Sequence, residues 1–329
     1  MKINSVKKYL KSLPIYHWLR DKYVYFELKW EREEIPILKQ IKAFTRAQKN
    51  KKFKDFSYHM RLGVAYNLFD GEELIEYSIK SIRKNVDFIC VIWQKISNHG
   101  EPCSVGMEDF LNKLVRDGLV DKLYLYEPDI VNTGGDNARL NEIKKRNIGL
   151  ELCRQNGCTH HMTIDTDEFY TDEQFRFMKE EMERGNYGTG YCRHVQYYHD
   201  SIYQFKYPER NYISTIDKIM PNTKFVYNIS CVVPIDPTRK TNNILENGQS
   251  YRIFTRKECE MHHMSYVRKD FRKKTKSHSN RSDFNNEEKL ERIIESYNNW
   301  KYPQKCIWAG ERLLEVIEVP RQFEIYKVD

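Results

Sequence analysis

No run of 18 or more apolar residues occurs in the 329-residue chain, so no transmembrane helix is expected. The opening stretch also lacks the uninterrupted apolar core of a secretion signal, and none is expected. The eight cysteines, at 90, 103, 153, 158, 192, 231, 259 and 306, form no Cys-x-x-Cys pair, which argues against a zinc module or a disulfide framework. A chain of this length needs no disulfide staples, and a reducing cytosol is the simplest compartment for it. Internal repeats, low-complexity tracts and recognisable nucleic-acid motifs are missing as well.

A hydrophobic content of 40%, with 13% aromatics, is enough to supply a globular core. The formal charge of +8 is unevenly spread. Residues 1–58 hold 15 Lys or Arg against 6 acids, leaving 40 against 41 in the remainder. In residues 1 to about 35, Lys7, Lys8, Lys11, Arg20 and Lys22 alternate with Trp18, Tyr23, Tyr25 and other large apolar side chains, while Pro14 prevents one continuous helix. Interleaving of this kind suits an anionic membrane interface, and it suits equally an extension packed on the rest of the chain. The basic run Lys49–Lys54 reads as a linker, which divides the chain into an N-terminal extension (1–58), a main domain (59–285) and a C-terminal segment (286–329) that closes the same domain.

From Arg61 onward strand and helix patterns alternate. Strands are expected at 62–68, 86–93 and 122–126, with helices at 72–82, near 106–117 and at 136–155. Such alternation predicts an α/β fold with a mostly parallel sheet between helices. In the last of these helices Leu140, Ile143, Asn147 and Leu150 share one stripe, so Asn147 is placed towards the sheet, where its amide either caps a buried backbone group or meets a ligand. Arg146 is one residue aside, as a solvated helix arginine or as a second group in the same crevice. A helix is expected over 173–184 and aromatic strand from 188 to 200. Pro-rich strand and loop follow over 217–251, then a polar helix at 287–300 and a final helix and strand within 308–326.

The stretch His160-His161-Met162-Thr163-Ile164-Asp165-Thr166-Asp167-Glu168 reads as a short strand that ends in carboxylates, with Thr171-Asp172 offering the N-cap of the next helix. Ligands of open α/β sheets bind beyond strand carboxyl ends, where two acids one residue apart can hold a divalent cation against a diphosphate. The alternative is a solvated acidic turn. Together with Lys145-Arg146-Asn147-Ile148-Gly149-Leu150 and Asn156-Gly157, the motif Ile164-Asp165-Thr166-Asp167-Glu168 resembles the core of GT-A glycosyltransferases of the family 2 type and their Asp-x-Asp motif, over about residues 61 to 170.

The resemblance implies a Rossmann-like GT-A sheet and a metal-dependent transferase. Its donor would be a nucleotide sugar, a UDP-sugar above all, with Mn²⁺ or Mg²⁺. The acceptor would be a hydroxyl of a surface glycan, a lipopolysaccharide or a lipid-linked precursor. It further implies Asp165 and Asp167 on the metal, with a late histidine from the pair His262-His263, His263 being favoured, and nucleoside contacts from Asn67, Asp70 and Gln94. Arg146, Asn147 and Lys274 would serve the donor, Lys274 belonging to the basic run that follows the histidines. In an extended segment His262 and His263 point to opposite faces, so one of them reaches the crevice. If the reaction inverts, the base is to be sought among Asp217, Asp236 and Glu246, and the sequence does not choose. The rival readings are a nucleotidyltransferase, for which Asp70-Gly71-Glu72 is a poor phosphate loop, and a nucleic-acid-binding protein, disfavoured by the nearly neutral remainder. No nucleic-acid partner is expected. The chain is placed in the cytoplasm, with peripheral attachment to the inner face of the cell membrane as an option.

Overall fold

The computed structural model describes residues 59–69, 71–130, 135–206, 211–227, 229–245, 250–277, 287–308 and 312–326. The N-terminal extension, Asp70 and Glu246 lie outside the described residues.

Four strands, β1 (Leu62–Leu68), β2 (Phe88–Trp93), β3 (Lys122–Leu125) and β4 (His160–Asp165), run parallel in the spatial order β3–β2–β1–β4. Every side chain of β2, Phe-Ile-Cys-Val-Ile-Trp, is buried, as required of a central strand covered on both faces. Helices supply the cover: α1 (Glu72–Ile82) follows β1, α2 (Met107–Arg116) follows β2, and α3 (Gly135–Gln155) follows β3. The amphipathic spacing explains α1 and α2. Leu74, Ile75, Ile79 and Ile82 are buried on α1, and Met107, Leu111 and Leu114 on α2, each behind a first turn carrying two acids that favour the helix dipole.

α3 departs from the expected stripe. Leu140 is 43% exposed, and the face against the sheet carries Gly149 and Cys153 instead, with Ile148 and Leu152 beside them. A Cβ at Gly149 would stand 2.4 Å from that of Ala65, so this close approach of helix to β1 needs glycine. The stripe containing Ile143 and Leu150 packs on Phe225, making a second buried side that a single-face periodicity does not reveal.

Beyond β4 the sheet turns antiparallel. β5 (Glu168–Phe169) and α4 (Asp172–Gly185) follow the acidic motif; Thr171 takes the N-cap position of α4, although its side chain makes no capping bond. β6 (Thr189–Tyr198), β7 (Asp200–Phe205) and β8 (Tyr212–Lys218) extend the sheet, β8 antiparallel to β4 and β6 antiparallel to β8 and β7. β9 (Tyr251–Ile253) and β10 (Glu260–Tyr266) both pair parallel with β6, and β10 also pairs antiparallel with β5. α5 (Phe271–Ser277) and α6 (Glu287–Asn298) then lead to β11 (Cys306–Trp308), β12 (Arg312–Leu314) and β13 (Val316–Glu318). β13 closes the edge of the large sheet against β7, and the helix expected within 308–326 is replaced by these short strands. Tyr198, Tyr297, Trp300 and Phe271 build the core of this closing segment. All eight cysteines are free thiols, and among the described residues no helix is long and apolar enough to cross a membrane.

Candidate active site

The ends of β1, β2 and β4 lie level, because Asn67 is in register with Ile92 on one side and with Asp165 on the other. Asp165 is therefore the last residue of β4, at the mouth of a crevice beyond the strand ends. The next residues are held by β10, where His263 is paired with Glu168 and the Met264 N–H donates to the Asp167 carbonyl at 2.7 Å. Gly71, at φ 105°, opens α1 directly over this turn; a Cβ there would stand 2.2 Å from the Thr166 hydroxyl. The strand pairing and the close packing of Gly71 thus fix the acidic motif in place.

Each carboxylate of the motif is matched by a buried cation. Arg239, 2% exposed, donates to Asp165 Oδ2 at 2.5 Å and forks onto Glu168 at 2.6 and 3.1 Å. Arg146 donates to the Thr163 hydroxyl at 2.7 Å and reaches Asp165 Oδ1 at 3.4 Å. Asp167 Oδ2 accepts from Arg268 at 2.6 Å and from Lys274 at 2.9 Å, while its Oδ1 lies 3.4 Å from His263 Nε2. Burial alone would raise both aspartates, but Arg239 and Arg146 hold Asp165 well below the ordinary carboxylate range, and Lys274, His263 and Arg268 do the same for Asp167. Both are anionic at neutral pH.

Two cavities meet at this motif. The first, of about 220 Å³, is lined by Asn67, Phe69, Gln94, Lys145, Arg146, Asp165, Asp167, His263 and Lys274 among others. Four of its amide atoms are buried without a hydrogen-bond partner: both polar atoms of Asn67, the Oδ1 of Asn98, and the Oε1 of Gln94, whose Nε2 donates to the Ile96 carbonyl at 2.8 Å. Buried polar atoms in this condition are costly in an empty site and are repaid by a polar ligand. The second cavity, of about 510 Å³, lies towards β6 and the loop after β8, with Tyr212, Asp236, Arg239, His194 and Gln196 in its wall. His194 is pushed down to about 3, first by burial and then by His263, so it is neutral there. Glu142, Arg146, Asp165 and His263 line both cavities.

Of the residues expected from the sequence, Asn67, Gln94, Arg146, Asp165, Asp167, His263 and Lys274 come together in the first cavity, and Asp236 lies in the second. Three others do not join them. Asn147 spends its amide on the backbone of Phe225, accepting from its N–H at 2.8 Å and donating to its carbonyl at 3.1 Å, so it pins the loop and lines neither cavity. His262 faces the opposite side of β10, buried against Phe323 with Nδ1 2.8 Å from the Tyr197 hydroxyl. Asp217 is in register with His161, four residues before Asp165, and is buried beneath Thr241, whose hydroxyl donates to it at 2.9 Å. The solvated helix arginine is corrected too, since Arg146 is 2% exposed. Arg239 and Arg268, the two guanidinium groups that anchor the motif, went unassigned in the sequence. Arg268 opens the basic run after the histidines, whereas nothing in the sequence around Arg239 marks it out.

No protein-family model matches the chain, and no curated protein matches its sequence. Among solved structures it is similar to S. aureus TarS 1–349, with 14% identity over 72% of this chain and 70% of that one and a TM-score of 0.38. The complex of the same TarS fragment with UDP-GlcNAc aligns over 42% of this chain and 35% of that one, at 15% identity and a TM-score of 0.29. GalNAc-T7, determined with UDP, GalNAc and Mn²⁺, aligns over 65% of this chain and 46% of its own at 9% identity, with a TM-score of 0.41. These superpositions are loose. The fold and the site rest on the strands and side chains described above.

In chemical terms the crevice offers orphaned amides, fixed cations that suit anionic oxygens, and a carboxylate with an imidazole beside it. Lys145, buried next to Arg146, adds a cation to the same wall.

Proposed function

We propose that the chain is a glycosyltransferase of the GT-A type, which binds a nucleotide sugar in the first cavity and passes its glycosyl group to a hydroxyl presented in the second. The observation that carries this reading is the shared wall: Glu142, Arg146, Asp165 and His263 belong to both cavities, so a diphosphate in one and an acceptor in the other meet at the same four side chains. The Asp-x-Asp motif at the end of β4 supports it. So do the unpartnered atoms of Asn67 and Gln94, whose places at the ends of β1 and β2 suit a nucleoside. The donor proposed is a UDP-sugar, and the acceptor a glycan or lipid-linked hydroxyl.

The donor set fits a divalent cation at Asp167 and His263. Their facing atoms lie 3.4 Å apart, near the edge of an octahedron whose bonds are about 2.1 Å, and such an ion is commonly held by few protein ligands plus substrate phosphates. Asp165 does not belong to this set, because both its oxygens face arginines, and among the described residues no cluster of three or more acidic, His or Cys side chains gathers around one point. Mn²⁺ or Mg²⁺ bound there would neutralise charge developing on the departing diphosphate. Lys274 and Arg268 present fixed positive charge to the same oxygens, and Asp167 holds both in position. Asp165, fixed between Arg239 and Arg146, keeps those two cations at the junction of the cavities.

Calorimetric titration of UDP, GDP and ADP into the protein with Mn²⁺ tests the assignment. One nucleotide should bind, and Lys274→Gln should weaken it by roughly tenfold, the worth of a charge-assisted contact. Failure of all three to bind contradicts the reading.

A further inference from the structure

On the reading of the crevice as a glycosyl-transfer site, we infer that Asp236 is the base that receives the proton of the acceptor hydroxyl. Asp236 is the N-cap of a short 3-10 turn, Pro237–Arg239, and its Oδ1 accepts from both the backbone N–H and the hydroxyl of Thr238, each at 2.8 Å. Those two bonds set the plane of the carboxylate while using one oxygen only. The turn itself is fixed to the acidic motif from behind. Arg239 is the residue that clamps Glu168 and Asp165, and its carbonyl accepts from the Ser214 hydroxyl at 3.1 Å. Thr238 and Arg239 are buried, whereas Asp236 itself is exposed on the lip of the second cavity. One end of a four-residue segment therefore holds Asp165 and the other carries a preset carboxylate into the space assigned to the acceptor.

Two other acids in that wall are less suited. Asp165 and Glu168 both receive Arg239, so their oxygens are committed to a guanidinium. Glu142, on α3, lines both cavities and serves as the comparator. Asp217 lies towards the far end of β4.

In the step proposed, the acceptor O–H proton passes to Asp236 Oδ2 as the hydroxyl oxygen bonds to the anomeric carbon. The bond from that carbon to the diphosphate oxygen breaks, and its electron pair leaves with the nucleoside diphosphate. Asp236 then returns the proton to solvent. One displacement inverts the anomeric centre.

Water can stand in for the unidentified acceptor. Hydrolysis of UDP-glucose, UDP-galactose, UDP-N-acetylglucosamine and GDP-mannose is followed by proton NMR, which reports both the rate and the first anomer released. For the donor that the parent consumes, Asp236→Asn should lower kcat by on the order of 10²- to 10⁴-fold, the contribution of a positioned base, with KM and melting temperature close to the parent's. Asp236→Ser, which preserves an N-cap oxygen, should show the same loss if the amide variant folds poorly. The parent should release the inverted anomer first. An Asp236→Asn enzyme with parental kcat, a loss seen in Glu142→Gln instead, or a retained anomer overturns the assignment and leaves the transfer reading standing. A parent that consumes none of the four donors counts against the transfer reading itself, and the base falls with it.

Discussion

Two asparagines show what a polar residue in an apolar setting can mean. Asn67 sits one residue before the end of β1 with both amide atoms unpartnered in a cavity, and Asn147 sits on a helix with both amide atoms satisfied by one backbone. The resemblance implies a nucleoside contact for Asn67, and the helix stripe leaves Asn147 open between a buried backbone group and a ligand, because the pattern marks a polar group that needs a partner without saying what the partner is. Phe225 is 78 residues away from Asn147 along the chain, and no local spacing encodes that encounter. Asn147→Leu should accordingly leave nucleotide affinity unchanged. It should lower stability by about 1 to 3 kcal/mol, since the N–H and carbonyl of Phe225 lose their partners. A thermal melt beside a binding titration checks this: unchanged melting with weakened binding would return Asn147 to the site. Arg239 shows the reverse failure. Its importance depends on a turn that folds back onto a motif more than 70 residues earlier, so its identity alone carries no signal.

At the level of elements, the parallel strands were legible because central strands are nearly all apolar and end abruptly at polar residues. β1 and β2 show this directly, whereas β4 is marked by Met162 and Ile164 alternating with polar residues, and the acidic motif stands where it stops. The antiparallel half was harder to read. Polar and aromatic residues alternate there, and β6 is buried on both faces despite holding Arg193, His194 and Gln196. β8 also buries a carboxyl. Asp217 is pushed up from 3.8 to about 7 by burial, which outweighs the hydroxyl donors Thr189 and Thr241. The folded state therefore binds a proton that the unfolded chain has already released between those two values. Its contribution to stability must fall as pH rises from about 4 to about 7 and level off above. Asp217→Asn should remove that slope, leaving the variant more stable than the parent above pH 7 by an amount that vanishes near pH 4. Paired denaturation series across this range decide it. A constant difference between variant and parent would mean that Asp217 does not titrate in the folded protein over this interval.

For the whole molecule, charge separates two regions. The excess of Lys and Arg lies in residues 1–58, and the remainder is nearly balanced, its basic side chains near the crevice being matched by acids. The basic and aromatic composition of residues 1–58 supports a further proposal, that they attach the protein to an anionic membrane. Each basic residue near such a surface is worth about 1 kcal/mol, reduced by salt. The full chain should float with phosphatidylserine vesicles at low salt, and a chain beginning near Tyr58 should not; equal behaviour of the two rejects the attachment. Turnover is the decisive property of the crevice. The full-length protein, stripped of metal with EDTA, is given a panel of nucleotide sugars and then Mn²⁺, with release of nucleoside diphosphate as the readout. One donor should be consumed, its consumption should need the added ion, and Asp167→Ala should abolish it. Consumption of no donor in the presence of Mn²⁺ would contradict the glycosyl-transfer account, and equal consumption with EDTA would contradict the metal site at Asp167 and His263.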